Sequence, residues 1–148
     1  MREESLMIIR PALKKDFNEI ADLIISELGY QNLTHEDIRK RLSVIEKSYN
    51  HKTLVACIDG RVVGFIGLCR VVTYETDEYV AILALAVSEK YQRQGTGKAL
   101  LEAATDYVKK TGVKVMKVSS ALHRTNAHLF YEANGFDRVG FTFISNVE

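Results

Sequence analysis

Apolar residues recur along this chain at two different spacings, and each change of spacing marks a change of element. Leu6-Met7-Ile8-Ile9-Arg10 predicts a strand closed by Pro11. Between Lys15 and Leu28, the residues Phe17, Ile20, Ala21, Leu23, Ile24 and Leu28 fall at helical spacing, with Gly29 as the stop. Thr34 and Asp37 have the spacing of a capping box, and Ile38, Leu42, Val44 and Ile45 continue a second helix. Thr53 to Ile58 and Arg61 to Tyr74 are rich in strand-forming residues and joined by Asp59-Gly60, a favoured type I′ hairpin pair. Tyr79 to Val87 shows no polar alternation at all, which predicts a central strand covered on both faces. Gly97 to Thr111 reads as a helix with Leu101, Ala104 and Val108 on one stripe, ended by Gly112. Val113 to Ser119 is then a strand, and Thr125 to Asn134 a short helix with Gly135 beyond its end. Phe136 to Val139 and Phe141 to Ser145 complete the pattern as two short strands.

A hairpin makes its strands antiparallel, whereas a helix crossing between two strands makes them parallel. The order therefore predicts an α+β (mixed α/β) fold, with a mixed, mostly antiparallel sheet of about six to seven strands. About four helices cover both its faces. No linker, repeat or low-complexity tract interrupts the 148 residues, so a single domain over 1–148 is expected.

Composition narrows the function. Twenty basic against 19 acidic residues give a net charge of +1, which disfavours phosphate-tracking nucleic-acid binding. No apolar run approaches the ~20 residues that span a bilayer. The start, Met1-Arg2-Glu3-Glu4-Ser5, lacks the basic-then-apolar layout of a signal peptide, so a cytoplasmic location is expected. The hairpin register, with residue 58 facing 61 and 57 facing 62, puts Cys69 about 23 Å along the ladder from Cys57. A disulfide needs Cα atoms within about 7 Å, so both thiols are expected free. His35, His51, His123 and His128 show no spacing suited to zinc, and no metal is expected.

Gln92-Arg93-Gln94-Gly95-Thr96-Gly97 stands between the apolar strand and the helix that follows it. A helix N-terminus leaves N–H groups unpaired and carries about half a positive charge, so it attracts anions. Gly95 and Gly97 allow close approach, and Arg93 and Lys98 add positive charge at the rim. On these grounds alone the loop is a phosphate site or a simple turn. It lacks a P-loop Gly-Lys-Ser/Thr, and Leu100 stands where a dinucleotide fingerprint has its third glycine.

The loop fits the (Arg/Gln)-x-x-Gly-x-(Gly/Ala) pattern of the GNAT superfamily of N-acetyltransferases, and its surroundings resemble that family as well. Leu85-Ala86-Val87 ends the strand before it. Asn126-Ala127-His128-Leu129-Phe130-Tyr131-Glu132-Ala133-Asn134-Gly135-Phe136, about thirty residues later, resembles the family's Asn…Phe-Tyr…Gly-Phe ending. The resemblance runs from the first strand to Phe136. It implies the acyl-CoA N-acyltransferase fold and acetyl-CoA as co-substrate. Gln92, Arg93, Gln94, Gly95, Thr96, Gly97 and Lys98 would hold the pyrophosphate through backbone amides. Leu85, Ala86 and Val87 would pair with the pantetheine arm as an added strand would. In this family that strand often carries a bulge that opens a slot beside it. Asn126 would bind the cofactor, and Tyr131 would stand near its sulfur. The loop Gly29-Tyr30-Gln31-Asn32-Leu33 would face the acceptor, unless it is an ordinary connection between helices. A homodimer is common in the family.

Acetyl transfer to an amine needs a neutral nucleophile, a stabilised oxyanion and a protonated leaving thiolate. A lysine-like amine near pKa 10.4 costs roughly 4.6 kcal/mol to neutralise at pH 7. Alignment of two bound reactants supplies about 7–11 kcal/mol, so proximity should dominate. Tyr131 is the natural general acid, though its spacing also suits packing beside Ala127 and Phe130. Glu78 lies where several family members place a carboxylate acting through water. Glu75, Asp77 and Glu78 are equally readable as a solvated acidic loop that attracts cationic amines. Two functions compete: acetyl transfer to the primary amine of a small molecule, or of a peptide N-terminus or lysine, and acyl-CoA sensing without turnover.

Overall fold

A computed structural model describes residues 6–30 and 32–147. Met1 to Ser5, Gln31 of the predicted acceptor loop and Glu148 lie outside the described residues. The chain divides into two compact units, one ending at Lys117 and the other beginning at Val118.

In the first unit, β1 (Met7–Pro11) leads through a 3-10 turn (Lys14–Asp16) into α1 (Phe17–Glu27). The buried carboxylate of Asp16 organises this entry. It accepts the Leu13 N–H at 2.7 Å and a two-pronged pair from Arg10 at 2.7 and 2.9 Å. Gly29 follows α1 at φ 74°, as a helix stop requires. α2 (His35–Glu46) starts on the predicted capping box: Thr34 Oγ1 accepts the Asp37 N–H at 3.1 Å, and Asp37 Oδ2 accepts the Thr34 N–H at 3.3 Å.

The strands β2 (His51–Ile58), β3 (Arg61–Val71) and β4 (Tyr79–Val87) form a meander with β1 at its outer edge. After β4 come a second 3-10 turn (Glu89–Tyr91) and α3 (Thr96–Thr111), ended by Gly112 at φ 84°. α3 is the crossover to β5 (Met116–Val118), the strand next to β4, where Val80 N–H donates to the Val115 carbonyl at 2.9 Å. The predicted hairpin register holds: Ile58 faces Arg61 and Cys57 faces Val62. Cys69 faces His51 at the far end of the same ladder, and both cysteines are free.

Both faces of the sheet are covered. Ile20, Ala21 and Leu23 of α1 and Ile38 and Leu42 of α2 close on Val55, Cys57, Val62, Phe65 and Ala86. Each isoleucine, leucine, valine or phenylalanine side chain among them contributes about 1.5–3 kcal/mol when fully buried. On the other face α3 comes so close to β3 that a Cβ at Gly64 would stand 3.1 Å from Leu100 Cδ1 and 3.1 Å from the Ala86 carbonyl.

In the second unit, α4 (Thr125–Ala133) ends in a Schellman arrangement. Gly135, at φ 92°, donates to the Glu132 carbonyl at 3.2 Å, and Phe136 donates to the Tyr131 carbonyl at 3.0 Å. The observed sheet has five strands rather than the six to seven expected. The predicted strands 136–139 and 141–145 are absent among the described residues, and β5 keeps only three residues of 113–119. Alternating apolar residues make a strand only where a neighbour takes up its N–H and carbonyl groups. No ladder forms along 136–147, and Val139, Phe141, Phe143 and Ile144 remain exposed.

Candidate active site

The central feature of the first unit is the path from β4 into α3. The register of β4 against β3 pairs Gly67 with Ala84 but Leu68 with Ile82, so Leu83 is one residue extra. The bulge that the sequence could not reveal is therefore present, with Leu83 mostly exposed. A bulge bends its strand and increases the local twist. Beyond it, Leu85, Ala86 and Val87 stay paired with Ile66, Phe65 and Gly64 on the β3 side. On the other side, the three residues of β5 are too few to pair with all nine of β4.

The loop then turns on two residues of positive φ, Arg93 at 63° and Gly95 at 81°. Positive φ at an arginine is an unusual backbone state. Gly97 is different: it lies inside α3 in ordinary helical conformation, so its missing side chain offers space rather than conformational freedom. The first helical bond of α3 runs from the Ala99 N–H to the Gly95 carbonyl at 2.9 Å. The N–H groups of Thr96, Gly97 and Lys98 precede it and have no partner within the helix. Thr96 is buried, with its hydroxyl donating to the Tyr91 carbonyl at 3.4 Å. Arg93 and Lys98 are exposed and make no ion pair among the described residues. A Cβ at Gly95 would meet no atom within 4 Å, which leaves the mouth of the helix open. Exposed cations, unpaired amides and open backbone together fit a diphosphate.

Gln92 and Gln94 are committed elsewhere. The Gln92 side-chain nitrogen donates to the Val87 carbonyl at 2.9 Å and to Glu27 Oε2 at 3.2 Å, and Gln94 donates to the Lys90 carbonyl at 3.3 Å. Their side chains shape the loop at its exposed surface. Glu27 at this position was not anticipated. The one signal for it was a carboxylate in the last turn of a helix, where the dipole disfavours negative charge.

Glu78, at the entrance to β4, is held by Arg70 of β3 in a bidentate pair of 2.8 and 2.6 Å. The guanidinium hydrogen bonds hold the Glu78 carboxyl below the usual range. Arg70 was likewise not singled out from the sequence. The ladder pairs Arg70 with Val80, which brings it level with the start of β4.

In the second unit Asn126 is exposed in the first turn of α4, and Tyr131 lies one and a half turns further on. The Tyr131 ring stands edge-on to Phe130 at 5.4 Å and to Phe136 at 5.6 Å between centroids. Burial among these rings pushes its phenol above the ordinary tyrosine value. The hydroxyl makes no hydrogen bond among the described residues.

The profile of the acetyltransferase (GNAT) family matches residues 17–136. Among curated proteins, the uncharacterized N-acetyltransferase YhdJ of Bacillus subtilis (strain 168) is 35% identical over 74 residues. Those residues are 50% of this chain and 49% of the relative, so the match spans about half of that protein. Among solved structures, a transcriptional regulator from Bacillus halodurans C-125 superposes with a TM-score of 0.87 at 21% identity. That alignment covers 96% of this chain and 100% of the other. The aminoglycoside N-acetyltransferase AAC(6')-Iy, in complex with CoA, gives 0.88 at 16% identity over 99% of this chain and 98% of its own. At such identities the structural likeness shows the fold.

Proposed function

The chain belongs to the GNAT family of acetyltransferases, and on that premise we propose that it moves the acetyl group of acetyl-CoA to a primary amine by direct attack in a ternary complex. The observation that carries this reading is the continuous run from the bulged β4 through Val87 and Gly95 to the open N-terminus of α3. Arg93 to Lys98 hold the pyrophosphate with backbone amides and two cations, while the edge of β4 at Leu85, Ala86 and Val87 takes the pantetheine amides. Asn126 adds a hydrogen bond to the cofactor. Tyr131 is the general acid that protonates the departing thiolate, and the raised phenol supports this because it stays protonated at working pH.

Glu78 serves as a base through water. Its pair with Arg70 keeps the carboxylate ionised but also lowers its proton affinity, so direct transfer from an ammonium near pKa 10.4 is uphill. Glu75 and Asp77 supply the field that attracts a cationic amine. Aminoglycosides lead the acceptor panel because AAC(6')-Iy, similar in fold, is named for them; polyamines, amino acids and peptide or lysine amines complete it. Among the described residues no helix is long and apolar enough to cross a membrane, and we take the enzyme to act in the cytoplasm. A homodimer remains part of this reading through the family alone.

Acyl-CoA binding without turnover is the second reading. The regulator from Bacillus halodurans, which shares the fold, favours it. Release of free thiol from acetyl-CoA across the amine panel separates the two. Turnover with any acceptor supports the enzyme, and tight acetyl-CoA binding with no thiol release from any amine supports the sensor.

A further inference from the structure

Glu27 occupies a place that helix electrostatics alone would not give it. It ends α1, whose last turn has no basic residue, and a carboxylate there opposes the helix dipole. Two donors from a segment 62 to 65 residues away meet it. The Glu89 backbone N–H reaches Oε1 at 3.1 Å, and the Gln92 side-chain amide reaches Oε2 at 3.2 Å. Gln92 spends its other N–H on the Val87 carbonyl at 2.9 Å, the last residue of β4. The orientation of that amide follows from its neighbours, since turning it over would set its oxygen against two acceptors. One carboxylate therefore fixes the turn at Glu89–Tyr91, the end of β4 and the start of the Arg93–Gly95 turn relative to α1.

We propose that Glu27 is a positioning residue for acetyl-CoA, holding the pyrophosphate loop and the β4 edge in one frame; this rests on the acetyl-CoA reading above. The effect of Glu27 passes through Gln92, so the two residues act as one strut. A carboxylate suits the place because both its oxygens accept while both neighbours donate. A glutamine there can accept only one of the two bonds and must turn an N–H toward the other donor.

The test is titration of acetyl-CoA, without amine, into the wild-type chain, Glu27→Gln and Gln92→Met by calorimetry, with melting curves and amide exchange of each. We expect acetyl-CoA to bind about tenfold more weakly in both variants, the effect of one lost hydrogen bond to a charged group. Exchange at the Glu89 amide should quicken in Glu27→Gln, while the melting temperature moves little. Steady-state KM for acetyl-CoA should rise in step, with kcat nearly unchanged. Unchanged affinity in Glu27→Gln beside a wild type that binds acetyl-CoA overturns the strut alone. A loss of affinity fully matched by loss of folded protein in both variants overturns it too. A wild type that binds no acetyl-CoA overturns the functional reading, and the strut's purpose with it.

Discussion

Phe136 donates its backbone N–H to the carbonyl of Tyr131 at 3.0 Å, and its ring meets the Tyr131 ring edge-on at 5.6 Å between centroids. The Gly-Phe ending of the motif thereby acquires a local cause. Gly135 takes the left-handed turn that a Schellman cap demands, and Phe136 returns to cover the side chain at the third position from the helix end. Such a contact between C″ and C3 limits where the tyrosine ring can lie.

Replacing that glycine tests the cap. Gly135→Ala forces a Cβ onto φ 92°, at roughly 1–2 kcal/mol, although no atom lies within 4 Å to clash with it. We expect a melting temperature lower by about 2–8 °C and a lower kcat from a misplaced Tyr131, with acetyl-CoA affinity nearly kept. A stable variant with normal kcat would show that the cap does not order the tyrosine.

Removal of the phenol itself is a sharper test. Tyr131→Phe keeps both edge-on ring contacts and deletes only the donor, so kcat should fall about 10²–10⁴-fold while acetyl-CoA binding is unchanged. A general acid works while protonated, and burial raises this phenol. Activity should therefore be lost only as pH rises beyond the ordinary tyrosine value of about 10. An alkaline limb below that, absent from Tyr131→Phe, would mean the opposite shift.

The chain shows why some of this was legible in advance and some was not. Tyr79 to Val87 was found to the residue because an uninterrupted apolar run has only one place in a sheet, the covered centre. The Thr34–Asp37 box and the Asp59-Gly60 hairpin were found because each is written in adjacent residues. Leu83 as a bulge was not, because a bulge belongs to the register between two strands rather than to either alone. Glu27–Gln92 and Arg70–Glu78 were missed for the same reason: each joins residues separated in the chain. The strands expected over 136–145 fail because alternation records a capacity to pair, and a partner must also be supplied.

At the entrance to α1, Asp16 is nearly fully buried and takes three hydrogen bonds, two of them from Arg10. Asp16→Ala should cost about 3 kcal/mol, since it strands a partly buried guanidinium as well as the Leu13 N–H. Those bonds hold the Asp16 carboxyl below its ordinary value. Its contribution is therefore complete above about pH 4, the unfolded value, and is lost as pH falls toward the lowered folded one. Urea melts from pH 7 to 2 should show a steeper acid loss in the wild type than in Asp16→Asn. Parallel acid limbs would assign that loss to other carboxylates.

The two glycines of the loop should respond to alanine with opposite signs. Gly95 stands at φ 81° before α3, so Gly95→Ala strains the backbone by roughly 1–2 kcal/mol at the point where the free amides are aimed. Gly97 is already helical, and alanine there favours the helix by about 0.8–1 kcal/mol. The motif itself admits Gly or Ala at that place, which suits a position needing little room rather than an unusual angle. We expect Gly95→Ala to melt lower and bind acetyl-CoA several-fold more weakly, and Gly97→Ala to melt higher with affinity within about threefold of wild type. Paired melting and calorimetric titration of the two variants checks both halves. If Gly97→Ala loses binding as severely as Gly95→Ala, the pyrophosphate passes closer to the helix axis than the open mouth at Gly95 implies, and the frame set by Gln92 must be redrawn around residue 97.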